Sequence, residues 1–334
     1  CGNKGVKILI SAEKGAARME LSLAPIIRWE RVSKRYPGAQ VDALDDVTIN
    51  VGAGEIVVLV GPNGSGKTTL MEMASGLRLP SKGSVSVLGR PVQPSGPQRL
   101  VLGVQLQNSS LPSRIRVKEA MRATQALYAD PVDVNELLTQ LGLKEYANIA
   151  VESLSGGWQR RLDVALACVG KPRVLVLDEP TSGIDPVARS EMWEFLRKRR
   201  SEGTGVLAST HDLTEAETYA DRLLVLNRGR LVLQGTVDEV LSLAGGGWRL
   251  RVLGTDSRFD HWAQGIGSAF LSAGGDSRVH IGSRESVTYL SQKLEDAKED
   301  GTITYLDALR GPVRLEDVFA FAVDAHTDSQ EFSR

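Results

Sequence analysis

The stretch Gly61-Pro62-Asn63-Gly64-Ser65-Gly66-Lys67-Thr68-Thr69 constrains this chain more than any other. It matches the pattern G-x-x-x-x-G-K-S/T and follows directly on an apolar run, Glu55-Ile56-Val57-Val58-Leu59-Val60. Behind it, Leu70, Met71, Met73 and Ala74 keep helical spacing until Gly76. Buried strand, glycine turn and helix in that order are the setting of a phosphate-binding loop. Gly61, Gly64 and Gly66 let backbone N–H groups curl around a polyphosphate, and the helix behind them turns its positive end toward the same charge. Lys67 is placed to reach the outer phosphates and the Thr68 hydroxyl to hold magnesium.

A second run completes that half-site. Val174-Leu175-Val176-Leu177-Asp178-Glu179-Pro180 is apolar throughout and ends in two carboxylates, as a central parallel strand covered on both faces would. Asp178 can hold magnesium through water, and Glu179 can polarise an attacking water. Gly205 to Thr210 reads as another buried strand with His211 at its end, where a histidine alone could equally be a packed turn residue. Leu154-Ser155-Gly156-Gly157-Trp158 opens a long helix and offers a second anion site, although in isolation an ordinary helix cap explains it. Asp185 suits a helix cap, with Pro186 at the first helical position. Asp212 and Glu215 have the spacing of a capping box. Tyr36, ahead of the loop's strand, could stack on an adenine face or simply pack on a sheet edge.

Elsewhere, period and turn residues predict strands over 26–32, 47–51, 83–89 and 99–107, and a hairpin of 222–226 with 230–233. Helical spacing over 117–128 and 134–143 predicts an inserted helical subdomain, about 108–165. Ala244-Gly245-Gly246-Gly247 reads as a linker, followed by a small α+β domain with strands at 249–253, 279–281 and 302–306 and helices near 286–299 and 315–323. A chain of 334 residues has room for two such domains. Its net charge of −1 argues against a nucleic-acid partner held by a basic field, and Cys1 and Cys168 alone suggest neither a disulfide framework nor a zinc site. No apolar run reaches the ~18 residues of a membrane span, so any membrane role passes through a partner. Residues 1–18 are expected to be a poorly ordered N-terminal extension, with Met19 a plausible start.

Taken in order, these motifs resemble the ATP-binding subunits of ABC transporters over about residues 26–240. The resemblance implies ATP and Mg2+ as ligands and gives each motif a role. Tyr36 matches the adenine-stacking aromatic and Gly61 to Thr69 the phosphate loop. Gln107 matches the glutamine that binds magnesium and water, with Gln105 a nearby decoy. Ser155, Gly156 and Gly157 match the family signature, Asp178 the metal-binding aspartate and Glu179 the catalytic base. Ser182 to Asp185 looks like the loop that follows, and His211 like the switch histidine at the γ-phosphate. Trp158 stands where many members have glutamine, which bears on fine contacts rather than on activity.

The implied fold is α/β: a P-loop NTPase core with a mostly parallel sheet, an antiparallel β subdomain and an inserted α-helical subdomain, plus a small C-terminal α+β accessory domain. The implied ATP-binding domain covers 19–243, the linker 244–247 and the accessory domain 248–334. The implied partners are a second ATP-binding subunit, as a homodimer, and a membrane-spanning permease, which places the chain in the cytoplasm on the inner face of the cell membrane. Leu154 to Leu162 (L-S-G-G-W-Q-R-R-L) and Leu315 to Phe319 (L-E-D-V-F) look like the drug- and polyketide-antibiotic-exporter branch. An importer ATPase, or a soluble ABC ATPase outside transport, is the alternative.

Overall fold

The computed structural model describes residues 25–107, 111–112, 114–243, 247–273 and 275–319. The expected extension over 1–18 and residues 244–246 of the expected linker lie outside them, as do residues 320–323 of the last expected helix. The first part of the chain runs β1 (Ile27–Lys34), β2 (Leu44–Val51), β3 (Ile56–Val60), α1 (Lys67–Ser75), β4 (Lys82–Val87), β5 (Arg90–Pro91) and β6 (Leu102–Gln105). The middle follows with α2 (Val117–Gln125), α3 (Val134–Gln140), α4 (Gly156–Cys168), β7 (Val174–Asp178), α5 (Pro186–Ser201), β8 (Gly205–Thr210) and α6 (Leu213–Tyr219). The remainder is β9 (Arg222–Asn227), β10 (Arg230–Gly235), α7 (Val237–Ser242), β11 (Trp248–Leu253), α8 (Phe259–Gly265), β12 (Leu271–Ser272), β13 (Arg278–Gly282), α9 (Arg284–Glu299) and β14 (Asp307–Pro312).

The central sheet has the order β10-β9-β3-β8-β7-β6, with β9, β3, β8, β7 and β6 parallel and β10 antiparallel at one edge. Its apolar runs are explained by burial on both faces. In β3, Ile56, Val58 and Val60 enter the core beneath the helices α3, α4 and α5, while Val57 and Leu59 enter a second core toward α1 and the antiparallel sheet. The same alternation recurs in β7 and β8. All five side chains of β3 are buried, at about 1.5–3 kcal/mol of transfer free energy each, so the loop after it starts from a rigid edge. The antiparallel sheet, β2-β1-β4-β5, is tied to α1 by Trp29, whose Nε1 donates to Leu70 O at 3.1 Å in the buried interior. Cys168, at the end of α4, is buried in the first of these cores, its thiol pushed up to about 12 by desolvation, as suits a core residue.

A third sheet, β12-β13-β11-β14, is antiparallel and packs on its own core of Leu250, Val252, Phe259, Leu290 and Leu294 with α8 and α9. The segment after it turns back to the cassette: Val313, Leu315 and Val318 join the core beneath the central sheet, with residues 315–319 helical. Two strand expectations fail. Residues 302–306 form a loop and the strand is β14, because Ile303 turns inward to the small core instead of pairing. Residues 97–100 form a 3-10 turn, so β6 starts only at Leu102. Pro97 opens that turn, where its fixed φ favours a helical start.

Candidate active site

The phosphate loop leaves β3 and enters α1 through Gly66, whose φ of 106° serves as the helix cap without any side-chain bond. The three glycines have separate reasons. A Cβ at Gly61 would lie 2.2 Å from Leu226 O, and one at Gly66 would lie 2.5 Å from Ala43 O. Both are fixed by the loop's own packing. Gly64, at φ 77°, faces open space and serves the turn alone. We expect Gly66→Ala to weaken ATP binding more than tenfold, since strain of about 1–3 kcal/mol adds to the clash. Isothermal titration checks this, and an affinity within twofold of wild type would contradict it.

Lys67 lies along the loop, its Nζ donating to Gly61 O at 2.8 Å and Pro62 O at 3.2 Å. Burial lowers its pKa, against the opposing charges of Glu179 and Asp178. Thr68 Oγ1 donates to Asp178 Oδ2 at 2.7 Å, joining α1 to the end of β7. The other Asp178 oxygen accepts the Ser209 hydroxyl at 2.5 Å, and Ser209 Oγ accepts the Glu179 N–H at 2.9 Å. Asp178 is therefore oriented on both sides before any metal arrives. A hydroxyl and a carboxylate side by side are hard oxygen donors, a set that fits Mg2+.

Glu179 follows at φ 53°, a left-handed conformation uncommon outside glycine, which swings its carboxylate away from the strand. Its Oε2 lies 3.4 Å from His211 Nδ1. Both line a cleft of about 440 Å³ with Gly61, Pro62, Asn63 and Gln107. The two glutamines differ in burial. Gln105 is 2% exposed, and its amide donates to Asp178 O and Leu106 O, a structural tie. Gln107 is exposed at the cleft mouth.

Other candidates stand apart from that cleft. Ser155 caps α4 without a side-chain bond to its helix, and no atom approaches within 4 Å of a Cβ added at Gly156. Neither they nor Gly157 line the cleft. That helix start faces outward, its glycines not demanded by local packing. Tyr36 shares a hydrogen bond with Thr69 Oγ1 at 3.1 Å, with Lys34 and Arg78 flanking its ring, so it stands at the side of the phosphate-loop helix. Asp185 caps α5, one oxygen accepting the N–H groups of Ala188 and Val187, bonds that hold its pKa low. Trp158 is explained by packing: it lies against Tyr146 at 4.3 Å and beneath the Arg161 guanidinium at 4.9 Å.

Four residues have places near this chemistry that no motif assigns them. Ser209 ends an apolar strand and looks like filler. Thr181 and Glu215 join in a buried hydrogen bond across 34 residues. Phe319 lines the cleft beside His211 and Leu213, although nothing in its spacing relates it to either. The expected capping box at α6 is only half present: Asp212 caps the helix, while Glu215 turns inward because Thr210 already satisfies the Asp212 N–H.

The model of a family described as "ABC transporter" matches residues 44–182. The chain is 40% identical over 206 residues to the Nod factor export ATP-binding protein I of Neorhizobium galegae, covering 58% of this chain and 57% of that one. It is also 40% identical over 222 residues to the protein of that name from Burkholderia pseudomallei (strain 1710b), covering 64% of this chain and 72% of the relative. This chain belongs to the ABC transporter family. Its fold agrees: the dimeric structure of a bacterial ABC transporter cassette superimposes with a TM-score of 0.58 at 25% identity, over 63% of this chain and 98% of that one. The P-loop NTPase core of an ABC cassette is thus the fold of the first two sheets. The chain spans little more than half the length of the Neorhizobium relative.

Proposed function

We propose that this chain is the ATP-hydrolysing subunit of an exporter, acting at the cytoplasmic face of a membrane with a separate membrane-spanning permease. The observation that carries the hydrolytic part is the convergence of Thr68 on Asp178 and of Glu179 on His211 at the cleft beside Gly61 to Asn63. Thr68, Asp178 and Gln107 would hold Mg2+, which would supply Lewis-acid neutralisation of phosphate charge. The phosphate-loop N–H groups and Lys67 bind the phosphates, and Tyr36 takes the adenine ring. Glu179 accepts the proton of the water that attacks the γ-phosphorus, while His211 steadies that phosphate.

Ser155 to Gly157 lie outside the cleft, which supports a head-to-tail pair in which Ser155 and Gly157 of one copy close over the γ-phosphate held by the other. Asp185, next to that interface, joins the contact. ATP then acts as the bond between copies, and hydrolysis loosens it. The relatives' names speak of export, and a lipid-like, drug or antibiotic substrate suits the chain's signature and its 315–319 segment. Residues 19–243 are read as the cassette and 248–334 as its accessory domain.

The test is co-purification from detergent-solubilised membranes in the presence of ATP. Recovery of a polytopic permease whose presence stimulates ATPase activity is expected, and recovery of a partner with no membrane span argues against transport. Because an aromatic stack reads a π-face and not base edges, GTP should be hydrolysed with kcat/KM within about tenfold of ATP. Steady-state assays with both nucleotides check it, and strict ATP selectivity would contradict Tyr36 as the sole base contact.

A further inference from the structure

The first turn of α6 carries a carboxylate that neither caps its own helix nor faces the cleft. Glu215 is only 5% exposed. Its Oε2 accepts two hydroxyls, Thr181 Oγ1 at 2.8 Å and Thr210 Oγ1 at 2.9 Å. Its Oε1 lies 3.1 Å from Arg189 Nε, and Arg189 Nη1 donates to Asp212 Oδ2 at 2.8 Å, so α5 and α6 are joined through the same cluster. Thr181 stands two residues beyond Glu179, and Thr210 immediately precedes His211. One carboxylate oxygen therefore joins the two loops whose side chains meet in the cleft.

That meeting is not secured from the front. The 3.4 Å between Glu179 and His211 exceeds the ~2.7–2.9 Å of a strong charge-assisted hydrogen bond, and the His211 side chain is 63% exposed. The backbone of Glu179, at φ 53°, adopts a conformation that persists only where the surroundings impose it. Ser209 holds its N–H on one side. On the other side its C=O accepts the Ser182 N–H at 3.2 Å, and Glu215 holds the intervening Thr181.

We propose that Glu215 is the positioning residue of this active site: by gripping Thr181 and Thr210 on a single oxygen it sets the spacing and orientation of Glu179 against His211. This rests on the reading of Glu179 as the base. A purely structural buried carboxylate behaves differently on removal, lowering stability while each folded molecule still turns over normally. A positioning residue lowers kcat with little change in KM, because the phosphate loop is untouched.

The test measures ATPase kinetics of the full chain at a temperature where circular dichroism shows every variant folded. Glu215→Ala is expected to lower kcat by about 30-fold with KM for ATP within about threefold, the scale of a small misplacement of reacting groups. Glu215→Gln keeps an oxygen for both hydroxyls and should restore kcat to within about threefold of wild type. Should Glu215→Ala fail to fold, Thr181→Val removes one grip without touching the carboxylate, and kcat should fall by about fivefold at unchanged KM. A wild-type kcat in Thr181→Val, or in folded Glu215→Ala, overturns the proposal. Glu179→Gln, assayed alongside, separates the two readings: wild-type turnover there overturns the base assignment itself, whatever Glu215 does.

Discussion

Glu179→Gln is expected to bind ATP with near wild-type affinity and to pair in its presence, while turnover falls by about 10³-fold, in the range that positioned acid–base groups contribute. The substitution is nearly isosteric, so the features that place the side chain survive it. The Glu179 N–H still donates to Ser209 Oγ, the φ of 53° is still imposed, and the amide oxygen can still face His211. What disappears is the capacity to take a proton from water. Lys67 loses one of its two favourable charges but keeps Asp178, so the phosphate grip remains. Sedimentation velocity with ATP and Mg2+ reads the pairing, and phosphate release reads the turnover. A variant that hydrolyses at wild-type rate removes Glu179 from the role of base. One that neither hydrolyses nor pairs points to a role in binding the nucleotide.

Much of this site was legible in the sequence because its parts sit at the ends of fully buried strands. An apolar run such as Val174 to Leu177 can hardly be anything but a central strand, and a charged pair at its end falls at the carboxyl ends of the parallel strands, where the phosphate loop also emerges. Gln107 and Gln105 differ by two positions on one strand end, and only burial separates them: one is tied to Asp178 O, the other reaches the cleft. Spacing cannot encode that difference.

What stayed hidden depends on pairs remote in sequence. Glu215 looked like half of a capping box, but Thr181, 34 residues away, draws its carboxylate inward, and Thr210 takes the N–H the box would use. Ser209 gains its role only when β8 is laid beside β7, pairing Ser209 with Asp178. The loop over 302–306 has strand-like residues, but Ile303 is drawn into the small core and the ladder falls to the less apolar Asp307 to Pro312. In each case a tertiary contact overrode a local preference, as β-propensity in particular allows.

Arg249→Ala should produce the largest loss of stability, about 3–5 kcal/mol, the cost of leaving one partner of a buried ion pair alone. Arg249 lies on β11 with its side chain 12% exposed, and Asp317, fully buried, accepts its Nη1 at 2.9 and 2.8 Å on both oxygens. With Arg249 gone the carboxylate keeps the Arg314 N–H at 2.9 Å but no countercharge. The pair also anchors the segment that follows the third sheet. Leu315 N–H donates to Glu217 Oε2 of α6 at 3.0 Å, Leu315 and Val318 enter the main core, and Phe319 reaches the cleft beside His211. Losing the anchor therefore loosens β11 and this segment together. Hydrogen exchange of the β11 amides reads the opening free energy directly. Replacing both partners, as Arg249→Leu with Asp317→Leu, should recover most of the loss, since desolvating the charges costs nearly as much as their attraction returns. If Arg249→Ala costs under about 1 kcal/mol, the pair behaves like an exposed one and the segment is held by its apolar contacts alone.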